Sequence, residues 1–221
     1  MKVLIISPSP PEYLGGLALF VKNLVLHLED KNIEVDLLTS TLSKKGPLNQ
    51  KIGENIDVRK QKVYLFPDND NILRIKNPLF FIMKYLKKKA HKYDLIHVHS
   101  YIYFCTFQTY IYKYLFNRKI PIVLHLHGGI QTEEYETSTV IEKILLFFKK
   151  YFFDIIVGKS IIEKSDALIS VSKEDLLEIN RVFKINRHNH NYFIPNVINS
   201  KDFKKIDKFQ KKYIGFIRRL T

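Results

Sequence analysis

Runs that read as buried strands alternate with runs that read as amphipathic helices along almost the whole chain. No other feature constrains the fold as much, because repeated strand–helix–strand units build a parallel sheet covered by helices on both faces. The first strand, Val3 to Ser7, is nearly all apolar, as a strand buried on both sides must be. Gly15-Gly16 then open a helix whose Leu17, Phe20, Leu24 and Leu28 recur at three- and four-residue steps. Further strands are expected at residues 33–39, 56–64, 95–99, 120–127, 167–171 and 192–194. Helices are expected at 77–92, 103–116, 139–151, 159–164 and 173–182. The predicted fold class is α/β, a Rossmann-like parallel sheet with helices on both faces.

At 221 residues the chain is long enough for one large domain to bury a core without a covalent staple. Its single cysteine, Cys105, excludes an intramolecular disulfide and fits a reducing, cytoplasmic setting. No apolar run approaches the ~20 residues of a transmembrane helix. The net charge of +14 bears on partners rather than fold. It suits nucleic acid, an anionic membrane surface or a phosphorylated small molecule, and a lysine-biased composition accounts for it equally.

Candidate chemistry gathers at the predicted carboxyl ends of strands, where open α/β sheets bind ligands. A strand followed by Gly15-Gly16 at a helix start is a phosphate-binding arrangement, since free backbone amides point outward and glycine admits close approach. A tight turn that needs glycine only for packing is the plainer alternative. His97 and His99 share one strand face, and His125 and His127 repeat the pattern on the next strand. Four imidazoles have the chemistry of a zinc site. Inside strands covered on both faces, however, they read as core or hydrogen-bonded rings, and no metal is expected. His99-Ser100 and His127-Gly128 fall at strand ends, where a histidine can hydrogen-bond a sugar hydroxyl or a developing charge. Ser172 lacks a nucleophile elbow and, with Asp175 three residues on, reads as a helix N-cap. The run Phe147-Phe148-Lys149-Lys150-Tyr151-Phe152-Phe153 has the make-up of an interfacial segment, or of a helix packed on the sheet with snorkelling lysines.

In order, these pieces resemble the large retaining glycosyltransferase family 4, which has the GT-B fold. The family's opening strand and Gly-Gly helix start are matched by Ser7 to Phe20. Its D-[LIV]-[IV]-H-x-H strand is matched by Asp94-Leu95-Ile96-His97-Val98-His99, and its His-Gly strand end by His127-Gly128. Ala167 to Ser172 matches an [AV]-[LI]-[IV]-x-V-S segment. Ile194-Pro195-Asn196-Val197-Ile198-Asn199 matches the I-P-N-G turn, with Val197 replacing glycine. Phe216-Ile217-Arg218-Arg219-Leu220 resembles the first strand of the family's second domain, with Arg218 replacing another glycine.

The resemblance implies residues 1–207 as an N-terminal, acceptor-side half, and 208–221 as a linker plus the opening strand of a donor-binding domain. It implies a nucleotide-sugar donor, a hydroxyl acceptor and no cofactor. By position, His127 would be catalytic, holding the donor sugar. Gly15, Gly16 and Arg219 would lie on the donor diphosphate, and Tyr13, His99, Ser100, Gly128 and Asn196 would line the sugar and acceptor side. The charge and the aromatic–lysine run add a lipid-linked acceptor and peripheral seating on the inner face of a membrane as expectations. Most donor contacts would come from the second half, so the 221-residue chain is expected to bind acceptor at most and not to transfer sugar alone. Two rivals stand beside this reading. One is a basic nucleic-acid-binding α/β protein, although no helix-turn-helix, RRM or KH signature is present and no nucleic-acid partner is expected. The other is a separately encoded acceptor subunit that docks a donor-binding partner.

Overall fold

The computed structural model describes residues 1–10, 16–40, 62–66, 81–128, 144, 147, 149–185 and 190–196. Seven parallel strands form one sheet: β1 (Lys2–Ser7), β2 (Glu34–Ser40), β3 (Lys62–Phe66), β4 (Leu95–His99), β5 (Ile122–Leu126), β6 (Ala167–Ser170) and β7 (Asn191–Phe193). Their order is β3-β2-β1-β4-β5-β6-β7, so the chain winds outward from β1 in both directions. Five α-helices are described: α1 (Gly16–Asp30), α2 (Phe81–Lys89), α3 (Phe104–Leu115), α4 (Lys159–Lys164) and α5 (Lys173–Phe183). This is the predicted Rossmann-like α/β architecture. The third strand lies at the end of its predicted range, and residues 41–61 and 197–221, including the expected linker and second-domain strand, lie outside the described residues.

Alternation along each strand divides the core into two layers. Val3 and Ile5 of β1, with Val35 and Leu37 of β2, pack under Val21 and Val25 of α1. Leu4 and Ile6 point the other way and join Ile96, Val98, Ile122, Leu124 and Leu126. That second layer is closed by Ile82 and Leu86 of α2, Cys105 of α3, Ile161 of α4 and Ile179 of α5. Each fully buried leucine or isoleucine contributes roughly 1.5–3 kcal/mol. Since Ile96 and Val98 face the second layer, period-two alternation turns His97 and His99 toward the α1 side.

The amino edge of the sheet is closed by carboxylates. Asp94 accepts the backbone N–H of Lys2 at 2.7 Å, and Asp166 accepts that of Ile122 at 2.6 Å while pairing with Lys113. Each aspartate directly precedes a parallel strand and satisfies the first free donor of a neighbouring one. Asp94 of the family-like motif therefore has a structural task.

Alongside it, the Tyr93 hydroxyl donates to the buried Asp36 carboxylate at 2.6 Å and meets the Tyr85 hydroxyl at 2.7 Å. Burial, then the Asp36 bond, raises the Tyr93 pKa far above its ordinary value, so it remains a donor. Tyr93→Phe leaves Asp36 short of that donor and should lower stability by about 1–3 kcal/mol in urea denaturation.

Residues 139–151 and 159–164 are predicted as two separate helices. Instead, a π-helical segment, Lys149–Gly158, runs directly into α4. Asp154 and Gly158 are buried, and Phe153 and Val157 pack on the core. Phe147, Tyr151, Phe152, Ile155 and Ile156 are between 49% and 64% exposed. Within the π segment the two sets alternate two by two, a repeat of four residues. Gly158 belongs to the seam: a Cβ there would sit 3.2 Å from the Tyr101 ring and 3.6 Å from Phe183.

Candidate functional site at the carboxyl edge of the sheet

Register brings the four histidines together. His99 of β4 lies directly beside His125 of β5, with His97 two residues earlier on the same face and His127 just past the end of β5. The rings form a stack: His97 to His99 is 4.6 Å between centroids, His99 to His125 is 5.2 Å, and His125 to His127 is 4.4 Å. Phe20 of α1 roofs the stack edge-on, at 4.7 Å from His125 and 4.8 Å from His127. His97, His99 and His125 are buried, whereas His127 is part-exposed. Sequence reasoning found the shared face but missed Phe20, whose only signal was its place in the apolar stripe of α1.

Desolvation keeps these rings neutral. Burial, reinforced by neighbouring imidazoles, lowers the pKa of His97 to about 3 and of His125 to about 2. His99 falls well below its ordinary value for the same reasons, and burial alone takes His127 to about 4. His99 Nδ1 and His127 Nε2 share a hydrogen bond of 2.8 Å. The Nε2 atoms of His97 and His99 and both ring nitrogens of His125 are buried without a hydrogen-bond partner.

Nitrogens of His97, His99 and His125 lie within 4.8 Å of one another, so a metal centre is the obvious test of this cluster. Tetrahedral zinc needs ligand nitrogens about 2.0–2.1 Å from one point. The planes of His97 and His125 differ by 8° and those of His97 and His99 by 22°. In stacked rings a metal in the plane of one imidazole lies out of the plane of the next.

Around the histidines lie the other expected site residues. Gly16 begins α1 one turn before Phe20, is exposed, and has nothing within 4 Å of where a Cβ would point. The turn leaving β1 is held by Ser7, whose Oγ donates to the Ser9 carbonyl at 2.9 Å. Ser100 adopts a left-handed φ of 64°, which costs a non-glycine residue about 1 kcal/mol. Its N–H donates to the His125 carbonyl at 2.7 Å, and its own carbonyl accepts from Thr106, so the chain turns sharply where β4 meets α3. Gly128 is exposed beside His127, and Asn196 is exposed just past β7. Tyr13, Gly15 and Arg219 lie outside the described residues.

His99, expected on the sugar and acceptor side, is 0% exposed and bonded to His127. Ser172 caps α5 as expected, accepting from the Asp175 N–H.

The sequence profile of Glycosyltransferase Family 4 matches residues 14–202. The chain belongs to that family. A comparison with curated proteins finds no significant match. Among solved structures, this family-4 chain is similar to an alpha-glucosyltransferase in complex with UDP and a 13-mer DNA containing a HMU base. That match has 12% identity and a TM-score of 0.46, covering 90% of this chain and 43% of the other. An alpha-glucosyltransferase in complex with UDP-glucose and DNA containing an abasic site matches at 13% identity and a TM-score of 0.46, covering 89% and 42%. The family-4 chain thus spans less than half the length of these structures, and at such identities and scores they add nothing to its site.

Proposed function

We propose that this glycosyltransferase chain supplies the acceptor-side wall of a retaining hexosyltransferase that uses a nucleotide-sugar donor. The observation that carries the reading is the pairing of an open helix start with a part-exposed neutral histidine at one sheet edge. Phe20 links them, since it lies one turn into α1 and packs on the His127 ring.

The start of α1 at Gly16, with Gly15 just before it in sequence, is the part proposed to meet the donor diphosphate. His127 Nδ1 is the ring nitrogen left to meet the donor sugar, because Nε2 is engaged with His99. Ser100, Gly128, Asn196 and Tyr13 would border the acceptor. In the transfer, the bond between the anomeric carbon and the diphosphate breaks, and a new one forms to the acceptor hydroxyl oxygen. That hydroxyl passes its proton to an oxygen of the diphosphate, which leaves with the bonding pair. Arg219 is the guanidinium proposed to meet the leaving charge, a task suited to its paired donors. No metal or other cofactor is called for in this scheme.

The acceptor proposed is lipid-linked, with the chain cytoplasmic and peripheral on the inner membrane face. Supporting this are the net charge of +14 and the half-exposed Phe147, Tyr151, Phe152, Ile155 and Ile156. Rings at headgroup depth and lysines against anionic lipid are the expected binding mode. Liposome flotation should show capture by phosphatidylglycerol vesicles that weakens several-fold in phosphatidylcholine. Equal flotation, or none, would remove the membrane part of the reading.

The transferase part is tested by joining the chain to a donor-binding domain and supplying radiolabelled UDP-, GDP- and ADP-hexoses with lipid-linked and soluble hydroxyl acceptors. Labelled glycoside should form from one nucleotide class. Absence of transfer from every donor would count against it.

A further inference from the structure

We infer that His99 is a positioning residue that holds His127 in a single tautomer, so that His127 presents one fixed kind of nitrogen, its Nδ1, to the ligand side. The inference deepens the proposed role of His127 and rests on that reading for its functional meaning, but its structural content stands on the geometry alone.

The hydrogen bond of 2.8 Å joins His99 Nδ1 to His127 Nε2. A neutral imidazole has one N–H and one bare nitrogen, so such a bond requires one ring to donate and the other to accept. Once the direction is set, the tautomer of both rings is set. If His127 Nε2–H donates, Nδ1 is a bare acceptor; if Nε2 accepts, Nδ1 carries the proton.

Two features keep the direction from averaging. His99 is 0% exposed, so bulk water does not reach its side of the bond. His125 and His97 stack behind the pair and Phe20 covers it, so both rings are held in place. Reversing the direction requires moving a proton on both rings, one of them the fully buried His99. A histidine facing solvent has neither restraint and exchanges tautomers freely. His127 would thus reach its ligand with a defined hydrogen-bonding sense, set by the buried neighbour.

The test needs no substrate. Long-range ¹H–¹⁵N spectra of the imidazole rings at pH 7 separate a protonated ring nitrogen from a bare one. In the wild-type chain, His127 should show two widely separated nitrogen shifts, the mark of one tautomer. His99→Gln removes the donor–acceptor group from the Nδ1 position, and the two shifts should collapse toward their mean. His99→Asn keeps an amide at the position of Nδ1 and should restore the separation. Backbone spectra of residues around Asp94 and Asp166, at the far edge of the sheet, report whether each variant is folded.

Averaged His127 shifts in the wild type would overturn the inference. So would separated shifts in both variants, or identical behaviour of Asn and Gln at position 99. Failure of sugar transfer would strike the proposed function and leave the tautomer result standing, so the two claims fall separately.

Discussion

Lowering the pH from 7 to 5 should remove several kcal/mol from the folding free energy of this chain. In the unfolded state each imidazole titrates near 6.5, whereas folding holds His97 near 3, His125 near 2, His127 near 4 and His99 well below its ordinary value. Groups with depressed folded pKa values contribute stability that is fully present above the unfolded value. That stability is lost as pH falls from about 6.5 toward the folded values. Over two units from pH 7, each such ring costs about 2 kcal/mol, because the unfolded chain takes up a proton the native one refuses. The rings lower one another's pKa, so their losses do not simply add, but the combined loss is a sizeable part of the ~5–15 kcal/mol that holds a whole domain together. Urea midpoints at pH 7, 6 and 5 measure it. A midpoint that does not move with pH would mean that the stack is hydrated and its rings protonate in the folded protein.

The second large effect concerns His127 itself. Replacing it by alanine in a transfer-competent form should lower turnover by about 10²–10³-fold, the usual loss when one preorganised hydrogen-bonding group facing developing charge is removed. Stability at pH 7 should fall by about 1–3 kcal/mol, since the buried His99 Nδ1 loses its partner. The acid-induced loss should shrink by one ring's share. An unchanged rate would place the chemistry elsewhere.

Much of the scaffold is readable from residue order because its strands are covered on both faces. Runs such as Val3 to Ile6 and Leu95 to Val98 leave few alternatives to a central parallel strand. The shared face of His97 and His99 follows from alternation within one strand. Their meeting with His125 and His127 does not, because it depends on the stagger between β4 and β5, which only the Ile96–Ile122 and His99–His125 pairing specifies. Hence the His99–His127 bond went unforeseen and His99 was placed on the ligand side. The π-helical segment was missed for a related reason. The sequence reading ends a helix at Tyr151, whereas the segment runs on to Gly158, with Asp154 accepting from the Tyr101 hydroxyl and Gly158 seated by its ring. Asp94 looked like part of a chemical motif because sequence cannot show that its carboxylate accepts the Lys2 amide.

The central claim is that the carboxyl edge around His127 is one wall of a sugar-transfer site whose donor-binding wall lies on another domain. Hexose transfer assayed with the 221-residue chain alone, and with the same chain joined to a donor-binding domain, tests this most directly. The account predicts no turnover by the chain alone. The joined protein should yield glycoside with the donor's anomeric configuration retained. Steady turnover by the chain alone, or an inverted product from the joined protein, would contradict it.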